Sequence, residues 1–100
     1  MTILYTPEAR KDLINARQYI IENFFDETAA KNLTKKIVEK VALLAENPEM
    51  GVSLQSRVNR STDLQLLVID KHIAFYRVLE DKIYIIRILD TRTDYMKEIF

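Results

Sequence analysis

Two arginines, Arg77 and Arg87, interrupt otherwise apolar runs near the end of this chain, within KHIAFYRVLEDKIYIIRILDTRTDY. A guanidinium in a hydrophobic strand must pair, reach water along its stem, or meet a partner. Its fork of donors suits a carboxylate or a phosphate, so both side chains are candidate recognition elements. Arg92 follows them, and Arg57, Arg60 and His72 precede them as a candidate basic patch. Such a group on a sheet could hold RNA phosphates or clamp an acidic partner segment. The plainer reading pairs the arginines with Asp63, Asp70, Asp90 and Asp94 at the surface. Tyr76, Tyr84 and Tyr95 could stack bases or donate protons, with His72 as acid or base near neutral pH. Strand tyrosines more often pack half-buried with a wet hydroxyl.

Much chemistry is excluded. The chain has no cysteine, one histidine and one glycine. It therefore offers no thiol nucleophile, no disulfide framework, no Gly-rich phosphate loop and no histidine pair for general acid and base work. No serine sits in a nucleophile-elbow context. Neither a cofactor nor a metal site is implied. The carboxylates Glu8, Asp12, Glu22, Glu39 and Glu46 read as solvated helix faces. Fifteen basic and fifteen acidic residues give zero net charge, so any nucleic-acid site would have to be a local patch. One hundred residues make a single domain, 1–100. The first residues lack the pattern of a signal peptide and no apolar run approaches a membrane span, which sets the expectation of a cytoplasmic protein with no membrane partner.

The elements that must position these residues are read from periodicity. Residues 2–5 suit a short strand, and Thr6-Pro7 supplies a helix cap with proline at the first helical position. Ala9, Leu13, Ala16, Ile20 and Phe24 recur at helical spacing from Pro7 to about Phe24. A second helix runs from about Glu27 to Glu46, with Ala30, Leu33, Ile37, Val41 and Leu44 on one face, started by Asp26 or Thr28 and stopped by Asn47-Pro48. The short connection favours an antiparallel helical hairpin. After Gly51 the period becomes two: a weak strand over 52–58, a loop over 59–63, then strands at 64–69, 72–79 and 82–89 joined by tight turns. The fold class is therefore α+β, an N-terminal strand and helical hairpin packed on a mainly antiparallel sheet. A tight final hairpin places Arg77 opposite Tyr84 and on the other face from Arg87; one more residue puts Arg77, Phe75 and Arg87 together. The tail from Asp90 ends in one helical turn capped by Thr93.

Tyr5-Thr6-Pro7-Glu8-Ala9, Asp12-Leu13, Asn47-Pro48, Gly51, Phe75-Tyr76-Arg77-Val78, Arg87-Ile88-Leu89, Arg92 and Asp94, in this order over nearly the whole chain, resemble the ParE/RelE superfamily of type II toxin-antitoxin toxins. The resemblance implies a toxin held by a cognate antitoxin in a hetero-oligomer. RelE-like members are ribosome-dependent mRNA endonucleases whose strand carries arginine where this chain has Ile73, and their late catalytic aromatic has no clear counterpart. ParE-like members poison DNA gyrase; their late motif is matched closely here, with Asp90 standing where histidine is common. The resemblance thus favours a ParE-like gyrase poison, with Arg77, Arg87, Arg92, Tyr76, Asp94 and Tyr95 as candidate toxicity or target-binding residues. The alternative is a RelE-like nuclease with ribosome and mRNA as partners, and the third reading is an inactive member acting as a binding module.

Overall fold

The computed structural model describes residues 1–100. The first strand, β1 (Thr2–Tyr5), leads into α1 (Pro7–Phe24) through Thr6. The Thr6 hydroxyl oxygen accepts from the Ala9 N–H at 3.1 Å and its own hydrogen goes to the Ile86 carbonyl at 2.8 Å, so one cap both starts the helix and ties it to the sheet. α1 ends at Phe25, which takes the left-handed conformation at φ 51 and returns its N–H to the Ile21 carbonyl. Asp26 then caps α2 (Glu27–Ala42), accepting from the Ala29 N–H at 2.9 Å.

The second helix stops being α-helical earlier than its apolar period suggests. Leu43–Ala45 tighten into a 3₁₀ turn, which still buries Leu44 completely before Asn47-Pro48. The weak strand expected over 52–58 is also shorter: β2 is Val52–Ser53, and Leu54–Ser56 form a second 3₁₀ turn. The physical reason is tertiary. Leu54 is driven inward to full burial, with its N–H on the Leu64 carbonyl, and the chain turns there rather than extending.

Three longer strands follow, β3 (Gln65–Ile69), β4 (His72–Leu79) and β5 (Lys82–Asp90). The sheet order is β1-β5-β4-β3-β2, with β1 parallel to β5 and every other pair antiparallel. Both tight turns have positive φ at their first residue, 54 at Asp70 and 57 at Glu80, where the chain lacks glycine. The β4–β5 register realises both alternatives in succession. Near the turn Arg77 faces Tyr84 and Tyr76 faces Ile85; a bulge then lets Phe75 face Arg87, leaving Ile86 as the extra residue.

The sheet has two covered faces. One carries Ala74, Tyr76, Ile83, Ile85 and Ile88 against Ala9 of α1 and Ile37 and Val41 of α2. The other carries Leu66, Ile73, Phe75 and Leu89, covered by Leu54, Val58 and the last helix, α3 (Tyr95–Ile99). The N-cap position of α3 is Asp94 rather than Thr93, and no side-chain cap bond forms there. No helix is long and apolar enough to cross a membrane.

Candidate functional site

β1 stops at Tyr5, opposite Ile85, so β5 becomes an open edge from Ile86 onward. Thr6 and Asp12 meet that edge. One Asp12 oxygen accepts the Ile88 N–H at 2.9 Å and the Arg87 Nε at 2.7 Å, while the other accepts Arg87 Nη2 at 3.0 Å. Arg87 Nη1 also reaches Glu98 of α3 at 3.4 Å. Arg87 is thus a junction between the first helix, the sheet and the tail. The Asp12 bond, assisted by Coulomb attraction from Asp12 and Glu98, raises its already high pKa. With the side chains of Arg87 and Asp12 only 22% and 11% exposed, this is the most enclosed ion pair in the molecule.

Arg77 has a different setting. Its Nε lies 3.1 and 2.9 Å from the two Asp63 oxygens, in a pair that is 37% and 59% exposed. The hydrogen bond from Arg77 lowers the Asp63 pKa, with little burial to oppose it. Arg92 forks onto Asp90, Nε to Oδ1 at 3.0 Å and Nη2 to Oδ2 at 3.1 Å, and its backbone N–H adds a third bond at 2.8 Å. These bonds, the Arg92 side chain first, bring the Asp90 pKa down to about 2. Across the ladder from Asp90 lies His72, half-buried, with Nδ1 enclosed and unpartnered. Burial lowers its pKa, partly opposed by Asp90, so the neutral imidazole is favoured.

Tyr76 is completely buried. Its hydroxyl accepts the Gly51 N–H at 3.0 Å and faces two acceptors, the Pro48 carbonyl at 2.9 Å and Gln65 Oε1 at 3.1 Å. Burial raises its pKa. A β-carbon on Gly51 would fall 2.5 Å from both this hydroxyl and the Leu66 carbonyl, so glycine is needed there for the close approach. Tyr95 is partly buried, its ring 5.4 Å from that of Phe75, and Asp94 is exposed.

The structure therefore does not gather the candidate residues into one cradle. Arg60 lies over the Phe100 ring at 4.7 Å, His72 faces Asp90, and Arg57 lines a cleft beside β3, so the three residues expected as a basic patch share no partner. The surface-pairing reading describes Arg77 and Arg92 well. It misses Arg87, whose partners are Asp12 and Glu98. Asp12, read as part of a solvated face, is instead one of the more enclosed carboxylates. Its signal lay in the sequence: it lies off the apolar stripe yet directly before Leu13, in the motif Asp12-Leu13.

A helical hairpin across one face of a mixed five-stranded sheet, a bulge beside an ion pair, and a short C-terminal helix on the opposite face define a small α+β domain. Residues 3–95 match the family described as ParE toxin of type II toxin-antitoxin system, parDE, and the chain belongs to that family. Among solved structures, its fold is similar to a chain of the chromosomal ParDE TA system from P. aeruginosa, with a TM-score of 0.76 and 24% sequence identity over 90% of this chain and 95% of that one. No curated protein sequence matches it.

Proposed function

We propose that this ParE-family toxin arrests growth by poisoning DNA gyrase through protein contact, and that a cognate antitoxin neutralises it in a hetero-oligomeric complex. The observation that carries a contact poison over a nuclease is the pairing of its arginines. Arg77, Arg87 and Arg92 each hold a carboxylate rather than stand free to hold a phosphate. RNA cleavage also needs a positioned acid and base. Here the only histidine is kept neutral by burial, and the strand tyrosine has its hydroxyl fully engaged inside the protein. A poison that works by contact needs neither.

On this reading Arg77, Arg92, Asp94 and Tyr95 are the residues that face the target, while Tyr76 and Arg87 hold the surface that presents them. The similarity to a chain of the P. aeruginosa ParDE toxin-antitoxin system supports the antitoxin. The test is induced expression of the toxin alone, followed by parallel assays of gyrase-DNA cleavage complexes and of mRNA cut on ribosomes. Stabilised gyrase-DNA breaks with intact mRNA are expected, reduced by Arg77→Ala and Arg92→Ala together. Cut mRNA with untouched gyrase would overturn the reading in favour of a RelE-like nuclease. Normal growth with folded toxin present would leave only a binding module.

A further inference from the structure

The other end of the sheet is unfinished. β3 reads Gln65-Leu66-Leu67-Val68-Ile69, with no lysine, no proline and no charge, although it runs along the edge of the sheet for half its length. β2 covers only Gln65 and Leu66. Natural edge strands of this kind are normally blunted by charge, proline or a bulge, because their free N–H and C=O groups template pairing with another chain. In the β3–β4 hairpin the two-residue turn makes Ile69 with His72, and Leu67 with Ala74, the hydrogen-bonded pairs, so the N–H and C=O of Val68 point away from β4. Continuing the β2–β3 register would bring Met50 to Val68. That pairing does not form, because the Met50 N–H is committed to the Asn47 carbonyl and the Gly51 N–H to Tyr76.

The chain at 50–51 therefore peels away from β3 and leaves a cleft of about 240 Å³ between them, walled by Met50, Val52, Leu67 and Val68. Val68 is 52% exposed and Val52 is 40% exposed. At the cleft stands Arg57, whose guanidinium takes part in none of the ion pairs or side-chain hydrogen bonds of the structure, its backbone N–H being held by the Leu54 carbonyl. Arg77, Arg87 and Arg92, on β4, β5 and the turn after them, are each paired, whereas Arg57 is a local positive charge with no acidic partner of its own.

We infer that the open edge of β3 is a strand-addition site for an extended segment of a partner protein, one with apolar residues at alternate positions and an acidic side chain placed to meet Arg57. Backbone bonds to Val68 supply affinity without sequence preference, and the apolar walls and Arg57 supply the preference. A second copy of this chain fits less well. Its own β3 ends at the Asp70–Lys71 turn, whose Asp70 is already paired with Lys36, so it offers no carboxylate for Arg57 and no chain to follow the cleft past Val52. The inference is independent of what the toxin poisons.

The test selects a displayed library of random octapeptides against the whole purified chain and measures the affinity of the recovered peptides. The expected binders alternate apolar residues, carry Asp or Glu, and shift amide resonances at 50–57 and 66–69. Val68→Pro removes the outward N–H while leaving the β4 ladder, a place where a strand tolerates proline. It should weaken binding at least about tenfold, the scale of a lost main-chain anchor. Arg57→Glu should weaken acidic binders about tenfold and accept lysine-bearing ones instead. Circular dichroism checks that both variants fold, and Val68→Lys serves in place of the proline variant should that one unfold. Binders indifferent to Val68 and Arg57, no acidic preference, or a concentration-dependent homodimer abolished by the Val68 variant would each overturn the inference.

Discussion

The two faces of the sheet are covered by different kinds of structure. On one face, two capped helices of 18 and 16 residues bury a cluster of eleven residues. On the other, a 3₁₀ turn, an irregular loop and a five-residue helix cover a cluster of six. Five-residue helices do not hold themselves together, so α3 exists only because Tyr95 and Ile99 pack onto the second cluster and because Arg87 and Arg60 reach Glu98 and Phe100. The lesson is a division of labour: the helical face fixes the fold, and the tail face is held in place by a few separable contacts.

The comparison breaks if both faces carry equal weight. Ile37→Ala, in the fully buried stripe of α2, should cost about 2–5 kcal/mol, and Ile99→Ala, a partly buried residue of α3, about 1 kcal/mol or less. Urea unfolding of the two variants measures both. Similar losses would mean that the tail is as much a part of the core as the helices.

A second contrast, smaller in size, sharpens the role of the arginines. Asp12→Ala leaves the Arg87 guanidinium with only its long contact to Glu98 and strands the Ile88 N–H at the strand edge, for an expected loss of about 2–3 kcal/mol. Asp63→Ala removes an exposed partner from Arg77 and should cost well under about 1 kcal/mol. If thermal unfolding shows the two variants alike, Arg87 is not the junction between helix, sheet and tail described above.

These contrasts also show what a reader of the sequence can and cannot see. Thr6-Pro7, Asp26 and the three- and four-residue apolar steps act locally, and both helix starts fall where they point. Phe24 continues the stripe by spacing but is exposed. The register of the last hairpin was not legible, since it changes midway at a bulge beside the place where Thr6 and Asp12, from the other end of the chain, occupy the strand edge. Arg87 and Asp12 are 75 residues apart, and nothing local to either names the other. The strand expected over 52–58 failed for the same reason: the burial of Leu54 against Leu64, Leu66 and Phe75 decides that segment, not its propensity.

The smallest effect follows from acid, and it should reach the tail face first. Asp90 holds the turn that launches α3 through its three bonds from Arg92, and its folded pKa of about 2 lies below the ordinary 3.8. A depressed carboxylate contributes stability that is present above 3.8 and is lost as pH falls towards about 2. His72 faces Asp90, with Asp70 and Arg92 also acting on it, and its pKa lies below 6.5. Because the unfolded chain takes up that proton more readily, its contribution is present above 6.5 and fades as pH falls through the folded value. Two acid limbs are therefore expected in the urea midpoint, the upper removed by His72→Gln and the lower reduced by Asp90→Asn, with Asp63 and Asp70, whose pKa values are also lowered, keeping the remainder. Asp90→Asn should also extend the upper limb to lower pH without moving its onset near 6.5, since Asp90 is what partly sustains the charged imidazole in the folded protein. Amide exchange adds the spatial test: protection over 91–99 should weaken at a higher pH than protection in α1 and α2. Loss of both together would show that the tail, for all its separable contacts, unfolds only with the helices.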